Sequence, residues 1–183
     1  MTARRDPNGS GTDTVLRALA FEAVLGRVFE RFADVADADF DRAVSESLAE
    51  IGAFVGADRS YVIRFDADTN LTYMTHEWCA DGIPPSFEEE QGRSYAEAPQ
   101  QQRALGNFQV NEIRDVAALG DDWAQDRDYL LAEGITAILE VPLVRRGRLV
   151  GVIGFDAVTG AVPWTTEDIT VLDRKSTRLN SSH

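Results

Sequence analysis

The stretch "MTHEWCADG", residues 74–82, holds the chain's single cysteine, Cys79, and one of its two histidines, His76. With Glu77 between them, these residue types can ligate a metal, run thiol chemistry or anchor a ligand covalently. Each chemistry makes a geometric demand. A metal needs three or four ligands converging on one point. A nucleophilic cysteine needs a base or a helix N-terminus to form its thiolate. The segment "LTYMTHEWC" reads as a strand, and side chains along a strand alternate between two faces. His76 and Trp78 then share one face, while Glu77 and Cys79 share the other. The three ligand types point apart, and the remaining histidine is His183, the last residue of the sequence. We therefore expect no metal, no cofactor and no catalytic residue here, with Cys79 a small buried or loop-end thiol.

The elements that position this stretch follow from hydrophobic period. A helix is predicted over about residues 14–35, where Ala18, Phe21, Leu25, Val28, Phe32 and Val35 recur at alternating spacings of three and four. Val24 and Phe29 lie off that stripe, so the helix buries either one wide face or two, the second against another copy of the chain. A second helix covers about residues 40–55, with Asp39 as N-cap, Phe40, Val44, Leu48, Ile51 and Val55 as its apolar face, and Gly56 as its stop. The period then changes to two. "RSYVIRF" and "LTYMTHEWC", joined by the turn-rich "DADTN", read as an antiparallel hairpin. Residues 80–107 are polar and punctuated by Pro84, Pro85, Gly92 and Pro99, which predicts loop with one short helix. "NFQVNEI" is a weak strand, and "DDWAQDRDYLLAEG" is a short helix opened by Asp121 or Asp122 and stopped by Gly134. "ITAILEVPLV" and "RLVGVIGFDAV" form a hairpin around "RRG", apolar enough to be central strands. "PWTTEDITVLD" opens a last helix, with Trp164 as anchor and Thr165 and Asp168 as a capping-box pair. This order describes an α+β domain built on one mainly antiparallel sheet with helices on its faces.

Pairing Phe65 with Leu71 in the first hairpin places Tyr61, Ile63, Phe65, Leu71 and Tyr73 on one side, an apolar surface suited to the terminal helices. The other side carries Val62, Arg64, Met74, His76 and Trp78, the mixture of apolar walls and few polar groups that small-ligand pockets use. Those residues either line a pocket or close the core beneath the long excursion. Trp123 and Tyr129 of the short helix either roof the same pocket or pack the helix down.

Composition sets the outer bounds. At 183 residues and 44% hydrophobic content the chain suits one domain with a sizeable core. A net charge of −13 opposes non-specific nucleic-acid binding, which runs on Arg and Lys contacts to phosphate. No apolar run approaches membrane-spanning length. One cysteine excludes an intramolecular disulfide framework and fits a reducing compartment, so a cytoplasmic protein is expected. Residues 1–13, "MTARRDPNGSGTD", lack the apolar core of a signal peptide and read as a flexible leader. Residues 173–183, "DRKSTRLNSSH", differ in composition and contain the chain's one lysine, Lys175. They resemble the translation of a sequencing adapter, a non-native tail interrupting the last helix, so that the natural domain is expected over residues 14–172 and whatever followed is missing.

"IGAFVGADRSYVIRFD", "THEWCADGI", "LLAEGITAILEVPLVRRGRLVGVIGFDAV" and "WTTEDITVLD", in that order, resemble a GAF domain of the type found in bacterial multidomain signalling proteins. The resemblance implies a sheet of about six antiparallel strands, terminal helices on one face, and loops plus short helices over a small-molecule pocket on the other. It implies a sensory and dimerising module with an unknown small ligand, a homodimer formed through the terminal helices, and an output in cyclic-di-GMP turnover (a diguanylate cyclase or phosphodiesterase) or, second, a histidine kinase. "NFQVNEIRD" bears only a superficial likeness to the NKFDE signature of cyclic-nucleotide-binding members, and no bilin attachment motif is present. The alternative is a stand-alone thiol enzyme of this fold, such as a methionine-sulfoxide reductase working through Cys79.

Overall fold

The computed structural model describes residues 11–160 and 164–181, with residues 175–181 as backbone alone. The chain runs α1 (Gly11–Ala33), α2 (Phe40–Val55), β1 (Arg59–Asp66), β2 (Leu71–Cys79), β3 (Gln91–Ser94), α3 (Pro99–Gly106), β4 (Asn111–Ile113), α4 (Ala124–Ala132), β5 (Ala137–Arg145), β6 (Arg148–Ala157) and α5 (Thr166–Ser181). The six strands form one sheet in the order β3-β2-β1-β6-β5-β4, with every neighbouring pair antiparallel. Helices α1, α2 and α5 cover one face, and the excursion between β2 and β5 covers the other, the architecture expected from the resemblance.

Local signals explain much of this. Gly56 ends α2 at φ 77°, a left-handed conformation that costs glycine little. The β5–β6 hairpin closes through Arg146 and Gly147, both at positive φ, between the paired Arg145 and Arg148. At the start of α5 the Thr165 N–H donates to Asp168 (2.8 Å) and the Asp168 N–H donates to Thr165 Oγ1 (3.3 Å), the reciprocal cap read from the sequence. Helix α5 continues to Ser181, through the stretch expected to interrupt it. That stretch contains no Gly or Pro to break the helix. Helix α1 begins at Gly11, inside the expected leader, whose residues 1–10 lie outside the described residues.

The helix face is packed with hydrocarbon. Phe21, Val24, Leu25, Val55, Leu139, Phe155, Trp164 and Val171 form one buried cluster. Trp164 does anchor the start of α5, at 2% exposure. The Asp168 carboxylate is fully buried and is held bidentately by Arg17 of α1, at 3.0 and 2.7 Å, which ties the two terminal helices together.

The first hairpin corrects the sequence reading in three ways. Phe65 lies opposite Thr72, not Leu71, a register one residue away from the expected pairing. In addition, Val62 pairs with His76 but Ile63 pairs with Met74, so Thr75 is an extra residue, a β-bulge that reverses the alternation of β2. A one-residue slip exchanges the faces of a strand. The slip and bulge change which residues of β2 share a face with β1. Separately, the faces of β1 itself are opposite to the expectation, with Tyr61, Ile63 and Phe65 towards the excursion and Val62, Arg64, His76 and Trp78 on the other side.

Candidate functional site

Between the sheet and the excursion lies a cavity of about 80 Å³. Its floor comes from four strands: Arg59, Tyr61 and Ile63 of β1, Thr72 and Met74 of β2, Ile138 and Glu140 of β5, and Val152 and Asp156 of β6. Its roof comes from Arg93, Tyr95, Gln101 and Leu105 of the excursion and from Tyr129 and Leu130 of α4.

The floor depends on a glycine. Tyr61 pairs with Gly154 across β1 and β6, and its ring lies across that glycine where any Cβ would overlap it. The phenol thus reaches over to donate to Asp156 Oδ1 at 3.0 Å. Burial, reinforced by Asp156, pushes the Tyr61 hydroxyl well above its ordinary pKa. Burial likewise raises Asp156 well above the carboxylate range, against the opposing effects of the Tyr61 hydrogen bond and Arg59. Glu140 is raised by burial although Asn111 Nδ2 (2.7 Å) and Gln101 Nε2 (3.0 Å) both donate to its Oε2. Glu90, at the roof, is raised by burial too, and accepts from the Tyr129 hydroxyl at 2.6 Å.

The roof is pinned from below and across. Pro99 opens α3, where its missing N–H costs nothing. The fully buried Asp126 of α4 accepts from the Gln100 and Gln101 N–H groups at 3.1 and 3.0 Å, satisfying the first turn of α3 and holding it against α4. Arg93 lies 4.1 Å from the Tyr129 ring centroid and pairs with Glu90, Glu97 and Glu133 at 3.2, 3.0 and 3.4 Å.

Among the described residues three buried side-chain polar atoms lack a partner: Trp164 Nε1 on the helix face, and two at the cavity. Arg59 is 5% exposed; its Nε donates to the Pro84 carbonyl at 3.1 Å, but its Nη1 is buried with no hydrogen-bond partner. Gln101 is also 5% exposed, and its Oε1 is buried with no partner. Buried polar atoms are satisfied in the large majority of cases. Both residues belong to the cavity wall.

Of the seven residues singled out from the sequence, Met74 and Tyr129 line this cavity. His76 Nε2 lies 3.3 Å from Asp41 of α2, and Trp78 packs on Gly52 of the same helix, where a Cβ would stand 2.8 Å from the indole. Arg64 lies over the Tyr73 ring, and Val62 sits beside it on the same face. Trp123 packs against the cluster of Ile113, Val116 and Leu130 under the excursion. The "HEWC" side chains do divide between faces. Glu77 accepts from the Ser86 and Phe87 N–H groups at 2.9 and 3.1 Å and so fixes the start of the excursion. Burial and then the neighbouring Glu77 push the Cys79 thiol up to about 11.

The residues missed, Arg59, Tyr61, Glu90, Gln101, Glu140 and Asp156, had one readable signal among them. Glu140 interrupts "ITAILEVPLV" and Asp156 interrupts "GVIGFDAV", and a carboxylate inside an apolar strand is rarely buried without a purpose.

An antiparallel sheet with helices on one face and a roofed polar cavity on the other defines the GAF class of sensory and regulatory domains. The GAF domain family matches residues 39–180, and the chain belongs to it. It is 27% identical over 141 residues to the methanogenesis regulatory histidine kinase FilI of Methanothrix harundinacea (strain 6Ac), a match covering 73% of this chain. The chain spans 15% of the length of that relative. Its fold is similar to that of the chromophore-binding domain of Stigmatella aurantiaca phytochrome P1, with TM-score 0.67 and 20% identity over 90% of this chain and 60% of that one. It is similar also to a phycoerythrobilin-bound GAF domain from a cyanobacterial phytochrome, with TM-score 0.68 and 19% identity over 92% of this chain and 97% of that one. Among the described residues, no helix is long and apolar enough to cross a membrane.

Proposed function

We propose that this GAF domain is a non-catalytic small-molecule sensor within a cytoplasmic signal-transduction protein. The observation that carries the reading is the roofed cavity with its unused Arg59 Nη1 and Gln101 Oε1. The similar cyanobacterial domain holds phycoerythrobilin. The enclosed space here, about 80 Å³, is small, which favours a ligand smaller than a linear tetrapyrrole. The thiol-enzyme alternative has less support, because a thiol raised to about 11 supplies little thiolate at neutral pH. Among outputs, a histidine kinase is favoured by the similarity to FilI, whereas cyclic-di-GMP turnover rests on resemblance alone.

The ligand would act by preferring one arrangement of the terminal helices, since only differential affinity shifts a population. Those helices offer a surface for a second copy: Val15, Leu16 and Leu19 of α1 are 57%, 59% and 59% exposed on one side. The test is a thermal-shift screen of the chain against a set of small metabolites, with the Val152→Phe variant, which fills the cavity, alongside. A ligand at about a hundred times its Kd is expected to raise the wild-type Tm by roughly 5–10 °C and leave the variant unmoved. Absence of any shift, or an equal shift in both proteins, would refute the sensor reading.

A further inference from the structure

The cavity states more about its occupant than that one exists. Building on the sensor reading, we propose that the ligand is a small zwitterion of the α-amino-acid type, its carboxylate on Arg59 and its ammonium at Gln101 and Glu140.

Size comes first. A buried water needs roughly 10–15 Å³ on the measure that gives this cavity about 80 Å³, so the space holds on the order of six water-sized groups. That favours a molecule on the scale of a small amino acid over one the size of a nucleotide. Charge comes next. The Arg59 guanidinium is buried with its Nη1 unused, and Asp156, the carboxyl group opposite it on β6, is held towards its neutral form by burial, so the charge of Arg59 is answered in full only when a ligand anion meets it. Yet a simple anion is poorly matched, because Glu90, Glu140 and Asp156 line the same space. A simple cation would suit those carboxyl groups and the free Gln101 Oε1, but would leave Arg59 unanswered. A molecule with both charges satisfies both ends.

The spacing agrees. Arg59 of β1 is level with Asp156 and Ile138, and Glu140 of β5 is level with Gly154 and Tyr61, so their backbones stand two strand spacings apart across the sheet and two residues apart along it, roughly 12 Å. Two side chains reaching inward from that separation leave the span of one small bifunctional molecule with a hydrogen bond at each end. Ile63, Met74, Leu105 and Val152 supply an apolar wall for its side chain.

The test is calorimetric titration of the full chain with L-alanine, L-valine and L-leucine. Each is compared with the amine lacking its carboxylate and with the 2-hydroxy acid lacking its ammonium. At least one amino acid is expected to bind, with both of its analogues weaker by about tenfold or more. Arg59→Gln is expected to weaken that amino acid by roughly 10- to 100-fold, and Gln101→Met by about tenfold, in proteins whose circular dichroism matches the wild type. Should Arg59→Gln fail to fold, Arg59→Lys, which keeps the charge but loses the fork, is expected to weaken binding less than tenfold when read against the hydroxy acid. Equal binding of an amino acid and its hydroxy acid, or full binding by Arg59→Gln, overturns the proposal. If no amino acid binds while another metabolite shifts the Tm of the wild type and not of Val152→Phe, the ligand class falls and the sensor reading stands. If nothing binds, both fall.

Discussion

The two faces of this sheet are built from the same six strands and treat charge in opposite ways. Against the helices, the buried groups include Phe21, Val55, Leu139 and Phe155; among the described residues one buried carboxylate, Asp168, is met there by a bidentate arginine and two capping contacts, and only Trp164 Nε1 is left without a partner. Against the excursion, Tyr61, Glu140 and Asp156 are buried with their pKa values raised, and an arginine and a glutamine keep polar atoms unused. Each raised carboxyl group lowers stability near neutral pH, because ionising it costs more folded than unfolded. A fold that needed only to stand would fill that space with hydrocarbon. The helix face supplies the stability that lets the other face hold a polar cavity.

That contrast can be broken from the helix side first. Asp168→Ala removes the buried partner of Arg17 and the cap of α5, and is expected to lower stability by about 3 kcal/mol in urea unfolding. A loss below about 1 kcal/mol would show that the terminal helices are held by packing alone. Gly52→Ala places a methyl 2.8 Å from the Trp78 ring and 2.9 Å from Ser60 Oγ, both beneath α2. Overpacking of this kind is expected to cost about 1–3 kcal/mol, again read from urea midpoints.

From the cavity side the sign reverses. The folded-state pKa of Glu140 is raised above its unfolded value, so its contribution is fully favourable below the ordinary carboxylate range and is lost as pH rises towards the folded value. Glu140→Gln keeps an acceptor for Asn111 and removes that loss. Its Tm is expected to exceed the wild type's at about pH 8 and to converge with it near pH 4, a smaller effect than either helix-face change. A variant less stable than the wild type at about pH 8 would mean that the carboxylate is a structural asset. Smallest in stability is the double change Leu16→Glu, Leu19→Glu on exposed positions of α1. It is expected to leave Tm nearly unchanged and to convert a sedimenting dimer into a monomer.

The helix face was legible in the sequence because its signals are periodic and local. The stripe from Phe21 to Leu25, the apolar face of α2, the Thr165–Asp168 cap and the "RRG" hairpin each follow from a few neighbouring residues. The cavity face was not. Strand β3, "QGRS", is a short polar edge strand with no apolar alternation, and it lies inside a stretch read as loop. The bulge at Thr75 has no composition of its own, yet it moves His76 and Trp78 to α2 and leaves Met74 in the cavity. Gln101 reaches the cavity because Asp126, twenty-five positions away, caps its helix, a relation that no local pattern announces.

Native-state amide hydrogen exchange on the unliganded chain tests most directly whether the two faces do different work. The expected result is two classes of protection: amides of α2, β5 and β6 exchange only through global unfolding, while those of β3, α3 and α4 exchange through local opening at distinctly lower free energy. Uniform protection, with the excursion exchanging only when the helix face does, would contradict the account.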